Sequence, residues 1–205
     1  MCLWTGPFLL LLTVSNIGHS SVFLILYFSI ALKGVAYIHS RQVVHLDLSL
    51  ENLLLSDSNE IKIIDFGQAQ FIKYEKDAKG MIKPTKFHGI RPGKPQYQDP
   101  EICRGAPFDG VKADIWSCGV MIFIILFARP PYTNAHPSDR LFQNLIQGKL
   151  RTIYPDYNRA MRRNVTKEAA DLISGMCAAA PRRYTMEQIL AHPWFKGCDV
   201  IDKYQ

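Results

Sequence analysis

The sequence predicts a mainly α fold with one or two short β-hairpins near residues 43–67. Three observations point there. "VKADIWSCGVMIFIILFA" holds an uncharged run from Ile115 to Ala128, 14 residues long, apolar on every side and too short to span a bilayer, which marks a core helix. Segments with helical spacing and cap signals fill most of the chain beyond it. "LLLSDSNEIKII" reads as two short apolar strands around a turn, because Ser, Asp and Asn bond their own backbone.

The elements follow in order. Residues 1–32 contain no Asp, Glu, Lys or Arg, and the run is split by "SNIGHSS" into pieces shorter than a membrane span. No positive charge opens it, as a signal peptide would require. Residues 22–40 read as one buried helix, and residues 1–21 form an uncharged segment of unknown role. "RQVVHLDLSLEN" is a loop with a buried start, followed by the hairpin. A loop of about thirty residues comes next, and loops of that length are usually functional or disordered. "PSDRLFQNLIQG" reads as a helix with Ser138 as N-cap and Gly148 past its end. "TKEAADLISGMCA" is another helix. "TMEQILAHPWF" opens with Thr185 and Gln188 at capping-box spacing. Residues 197–205 form a tail.

Composition bounds the class. The chain has 205 residues, 48% hydrophobic and 20% charged, which is globular rather than disordered. Five widely spaced cysteines with no C-x-x-C pair predict reduced thiols and a cytoplasmic setting, not a disulfide framework or a zinc site. Membrane anchoring by residues 1–30 is the competing expectation. The net charge is +6, and residues 68–98 carry seven Lys/Arg against two acids. Such a run is usually a solvated loop. It shows no aromatic interleaving or recognition-helix pattern, so nucleic acid is not an expected partner.

The polar groups that stand out are Asp47 and Asp65, 18 residues apart and each in an apolar setting, with Asn52 between them. An isolated Asp or Asn in such a place usually caps or turns the chain. The joint pattern is different. H-x-D-x-x-x-x-N at 45–52, then Asp65-Phe66-Gly67, then Asp99-Pro100-Glu101, "DIWSCGV" and "RRYTMEQILAHPWF" occur in one order. In this the chain resembles the C-terminal lobe of a eukaryotic protein kinase of the Ser/Thr type, over residues 22–196.

The resemblance implies ATP and Mg²⁺ as cofactors and a protein hydroxyl as substrate. It implies that Asp47 orients the substrate hydroxyl as the catalytic base, that Asn52 and Asp65 hold metal and nucleotide, and that Leu54 floors the adenine. It further implies that His45 and Phe66 stack beneath the site, that Asp114 ties down the catalytic-loop backbone, and that Glu101 pairs with Arg183.

Several departures qualify it. Leu46 stands where the family has an Arg that receives an activation-loop phosphate. Ser49 stands where Ser/Thr kinases have a Lys, and Gly93-Lys94 where they commonly have Gly-Thr; Lys94 is expected to reach toward the phosphates in compensation. The 205 residues hold no G-x-G-x-x-G loop and no V-A-I-K-like strand. A partial domain without the N-lobe β-sheet is therefore expected. The alternatives are an inactive, pseudokinase-like binding module and a membrane-anchored fragment. Substrate identity, pathway and oligomeric state are not encoded in any motif present.

Overall fold

The computed structural model describes residues 4–7, 21–56, 60–76, 78–132, 135–161 and 165–196. Strand β1 (Trp4–Pro7) is followed by helix α1 (Ser21–Ser40), strand β2 (Val43–Val44) and the hairpin β3 (Leu53–Ser56) and β4 (Ile61–Ile63). Then come β5 (Gln70–Phe71), β6 (Tyr74–Lys76) and β7 (Ile82–Pro84). The remainder is helical: α2 (Pro100–Cys103), α3 (Gly110–Phe127), α4 (Arg140–Ile146), α5 (Leu150–Met161), α6 (Lys167–Met176) and α7 (Met186–Leu190).

The core is built on α3. Ile115, Trp116, Cys118, Val120 and Ile122 are all fully buried, so the helix beyond Asp114 is covered around most of its circumference, as the uncharged run there requires. The helix begins at Gly110, before the 14-residue uncharged run, and at 18 residues it is, against the expectation, long and apolar enough to cross a bilayer, but most of that stretch is buried inside the protein. Phe28, Ala31, Leu32 and Val35 of α1 join the same core from one side. Helix α6 packs from the other, closely enough that a Cβ on Gly119 would lie 2.5 Å from the Cys177 sulfur. A Cβ on Gly175 would lie 2.0 Å from the Tyr184 ring. Both glycines are there because nothing larger fits.

The predicted hairpin is present with Leu53 opposite Ile63 and Leu55 opposite Ile61. Its other edge pairs with β1, Pro7 lying opposite Leu54, so the three strands are ordered β1-β3-β4. The structure of the rest of the uncharged N-terminal segment up to residue 20, and of the tail 197–205, lies outside the described residues. Thr185 and Gln188 form the expected capping box at the start of α7.

Three expectations need correction. The N-cap of α4 is Asp139, not Ser138: its carboxylate accepts from the N–H groups of Leu141 and Phe142. A charged acceptor at the positive end of the helix serves better than a hydroxyl one residue earlier. Helix α5 has no counterpart in the sequence reading, because Pro155 sits inside it and proline removes one rung of the helix ladder. What holds it is tertiary: Leu150 is buried, and the Asn158 amide bonds both the N–H and the C=O of Val165. The thirty-residue loop is also more ordered than expected. It contains β5, paired with β2, and an antiparallel β6–β7 hairpin whose residues are all exposed.

Candidate active site

The loop between β2 and β3 is fixed from below by one carboxylate. Asp114, 1% exposed on α3, accepts the N–H groups of His45 and Leu46, each at 2.8 Å, and also bonds His39 Nε2 at 2.9 Å. A buried carboxylate is tolerated only when its oxygens are satisfied in this way. Leu46 is thereby held at φ +63°, a left-handed conformation that costs energy for a leucine and turns the chain sharply before Asp47.

Asp47 is 8% exposed, and its Oδ1 is buried without a hydrogen-bond partner. Its carbonyl accepts from Asn52 Nδ2 at 2.7 Å. That bond commits the nitrogen end of the amide and leaves the Asn52 oxygen as the pole that can meet a cation. The Asn52 carbonyl in turn receives the Ile64 N–H at 3.0 Å, which brings the end of β4, and with it Asp65, beside Asn52. Asp65 sits at φ +62°, ψ +67°, exposed, with one oxygen accepting the Gly67 N–H at 3.3 Å. Left-handed non-glycine residues concentrate at functional sites, and Leu46 and Asp65 are two of four such residues described.

The residues suit a Mg²⁺–nucleotide better than a closed metal cage. Among the described residues no group of three or more His, Cys, Asp or Glu is placed to hold a metal ion. Magnesium takes one or two protein oxygens and completes its shell with phosphates and water. The Asp65 carboxylate and the Asn52 amide oxygen could supply such a pair.

His45 bonds the Ile64 carbonyl at 3.0 Å and lies 4.7 Å, ring to ring, from Phe66. Phe66 is nevertheless 46% exposed, so only one side of it is packed. Leu54 lies mid-strand in β3, partly buried, between Pro7 of β1 and Lys62 of β4.

Two other side chains add to what the resemblance implies. Leu46 is buried in a second apolar cluster with Val44, Ile72, Ile102 and Phe108, against which Phe87 packs. Where an arginine would await a phosphate, an apolar side chain shares a buried cluster with Ile72 of the long loop instead. Arg183, fully buried, donates to Asp99 and to the Lys112 carbonyl, and stacks over the Trp116 ring. The expected ion pair with Glu101 is present, at 3.8 Å from Arg183 Nη2, a distance beyond hydrogen-bond reach. Asp99 is the closer of the two carboxylates. Burial pushes Asp99 up, but the Arg183 charge together with the hydrogen bonds from Glu101 and Arg183 outweighs it and holds the carboxyl below its usual range. Burial and the neighbouring Asp99 push Glu101 up to about 7. The sequence did offer the signal, since Asp99 occupies the alanine position of A-P-E.

The segment 93–94 crosses directly over the Asp47 loop. A Cβ on Gly93, at φ +83°, would lie 2.9 Å from the Leu46 carbonyl and 4.0 Å from Asp47 Oδ1. Gln68 fixes this crossing by accepting the Gly93 N–H at 2.9 Å. Neither Gln68 nor Gln98, which donates to the Pro92 and Gly93 carbonyls, stands out in the sequence.

A fold of this kind, with these two loops meeting over a buried aspartate, is that of a protein kinase catalytic lobe. The model of the protein kinase domain matches residues 17–195, and the chain belongs to that family. A probable serine/threonine-protein kinase of Dictyostelium discoideum is 35% identical over 170 residues, 82% of this chain and 18% of that protein. The serine/threonine-protein kinase kin-29 of Caenorhabditis elegans is 34% identical over 183 residues, 87% of this chain and 20% of its own length. A serine/threonine-protein kinase of Arabidopsis thaliana is 36% identical over 182 residues, 85% of this chain and 47% of its own. The chain thus spans less than half the length of each of these relatives.

Proposed function

We propose that the chain, through residues 22–196, forms the substrate-side lobe of an ATP-dependent serine/threonine kinase that phosphorylates protein hydroxyls. The observation that carries this reading is Asp47: a carboxylate more than nine-tenths buried, with one oxygen unpartnered, at the meeting point of three loops. Such a group is costly unless a ligand's proton completes it.

In this mechanism Asp47 Oδ1 accepts the hydrogen of the substrate hydroxyl and aims its oxygen at the γ-phosphorus. Asn52 holds Asp47 in place by donating to its backbone carbonyl, which leaves the Asn52 amide oxygen for a cation. Asp65 and Asn52 would hold a Mg²⁺, which would supply charge neutralisation at the phosphates. Leu54 would floor the adenine. Asp114 keeps the loop from relaxing between turnovers. An intracellular setting belongs to the same reading, supported by the two buried free thiols Cys118 and Cys177.

A binding module without catalysis is the second reading, favoured by the burial of Leu46 in place of a phosphate-receiving arginine. Transfer of radiolabelled γ-phosphate to a generic protein substrate, by a protein carrying these residues, separates the two. Label on serine or threonine that disappears in Asp47→Asn supports the kinase. Transfer unchanged in Asp47→Asn, or no transfer alongside stable partner capture, overturns it.

A further inference from the structure

We propose that Lys94 supplies the positive charge at the transferring phosphoryl group, with Ser49 as the post that holds its ammonium in place. The inference rests on the phosphoryl-transfer reading of the site and names a residue for a role that reading leaves unfilled. Phosphoryl transfer spreads negative charge over the equatorial oxygens of the group in flight, and protein cations placed there account for much of catalysis. Asp47 cannot serve, being an anion, and the position two residues beyond it is a serine.

The geometry points to Lys94 on three counts. Its Nζ donates to Ser49 Oγ at 2.7 Å, bridging 45 residues of sequence. Ser49 is fully buried, so its hydroxyl is a fixed acceptor and not a mobile one. The backbone that carries Lys94 is pressed against the Asp47 loop, because Gly93 leaves room for nothing between itself and the Leu46 carbonyl. The Lys94 side chain is 35% exposed, so the ammonium is at the open edge of the site and not sealed under it.

Lys94 also lies 3.6 Å from Glu51 Oε2, on a carboxylate 36% exposed. That oxygen is itself buried and makes no hydrogen bond, and at 3.6 Å it lies beyond hydrogen-bond reach of the ammonium, so the Ser49 hydroxyl is the closer partner of Lys94. A phosphoryl group with two negative charges competes well against the carboxylate, while the Ser49 hydroxyl continues to steer the ammonium. The rigid hydroxyl and the more distant carboxylate together make Lys94 pre-positioned yet free to engage.

An acyl-phosphate derivative of ATP tests this on the unaltered protein. A lysine beside the terminal phosphate attacks the acyl carbon through its neutral amine. The carbon–oxygen bond to phosphate breaks, ATP leaves, and the proton goes to solvent. Peptide mass spectrometry then locates the amide. The expected result is acylation of Lys94, suppressed by excess ATP–Mg²⁺. ATP-suppressed acylation of other lysines with Lys94 untouched overturns the proposal. Acylation that ATP does not suppress anywhere overturns it together with the nucleotide-site reading.

Kinetics give the second arm. With Asp47-dependent transfer in hand, Lys94→Met is expected to lower kcat by about 10²-fold, the scale of losing one charge-stabilising group, with little change in KM for the protein substrate. The exchanged pair Ser49→Lys with Lys94→Ser restores part of that loss and moves the acylation to position 49. Transfer that still depends on Asp47 but is indifferent to Lys94→Met overturns the role of Lys94 and leaves the kinase reading standing.

Discussion

Asp114 and Leu46 are 68 residues apart in sequence, yet Asp114 Oδ1 accepts the Leu46 N–H at 2.8 Å, at the one point where the catalytic loop turns left-handed. The other oxygen takes the His45 N–H. Replacing Asp114 by Asn keeps one acceptor and places an amide NH₂ against a backbone donor. The expected cost is about 1–3 kcal/mol for the unsatisfied buried N–H, or a fall in Tm of roughly 2–12 °C for a domain of this size. Thermal unfolding of Asp114→Asn checks this; an unchanged Tm would mean the loop holds itself.

The Leu46 side chain faces a different neighbour. It packs with Ile72 and Phe108, and Phe87 closes the far side through its ring, 5.6 Å from Phe108, and two backbone hydrogen bonds to it. The long basic segment is therefore pinned near 72 and near 87, while Tyr74, Met81 and Ile82 between them are exposed. Native-state proteolysis is expected to cut first between those pins. Leu46→Ala removes one pin from inside a packed cluster, at about 2–5 kcal/mol, and should speed cleavage there more than at any other site. Equal protection of wild type and variant across residues 71–92 would be evidence against this anchoring.

How much of this was legible in the sequence follows the range of each interaction. The capping box at Thr185, the hairpin at Leu53–Ile63 and the core helix at 110–127 depend on neighbours within a few residues, and all three are where the pattern put them. The role of Asp114 came through family resemblance, since nothing local ties it to residues 45 and 46. Asp99 as the arginine's partner, the pairing of β2 with β5 and the existence of α5 are set by contacts between distant segments. Local spacing carries no information about those. At α5 the local signal even pointed the wrong way, because Pro155 argues against a helix that packing against α6 sustains.

The pair of carboxylates around Arg183 makes stability depend on pH in a defined window. Glu101 is pushed up from its ordinary 4.5 to about 7, first by burial and then by Asp99. Between those values the folded protein holds a proton on Glu101 that the unfolded chain releases, so this contribution is fully present below about 4.5 and lost as pH rises through about 7. Asp99 works oppositely: its lowered value stabilises above the ordinary range and is lost only in acid. Glu101→Gln removes the first effect and leaves the second. The difference in Tm between variant and wild type is expected to grow in the variant's favour from pH 5 to pH 8, on the window set by those two values. A difference that stays flat across that range would show that Glu101 does not hold its proton in the fold.

The last expectation concerns the covering of the site. Phe66 stacks on His45 at 4.7 Å on one side and is 46% exposed on the other, and Asp65 beside it is open to solvent. Charges at an open edge interact through water, where each contact is weaker by severalfold than in a closed cleft. A polypeptide of these 205 residues alone is therefore expected to bind ATP–Mg²⁺ weakly and to transfer phosphate immeasurably slowly. Joining a glycine-rich, lysine-bearing kinase N-lobe ahead of residue 22 should cover Phe66 and raise both affinity and turnover. Asp47→Asn in the joined protein should abolish transfer again while leaving nucleotide affinity nearly unchanged, because in the proposed mechanism Asp47 meets the hydroxyl and not the phosphates. Calorimetric titration with ATP–Mg²⁺ and radiolabelled transfer, run on the bare and the joined proteins, measure the two quantities separately. Rapid, Asp47-dependent turnover by the bare chain would show that the exposed face of Phe66 needs no cover for the chemistry to proceed.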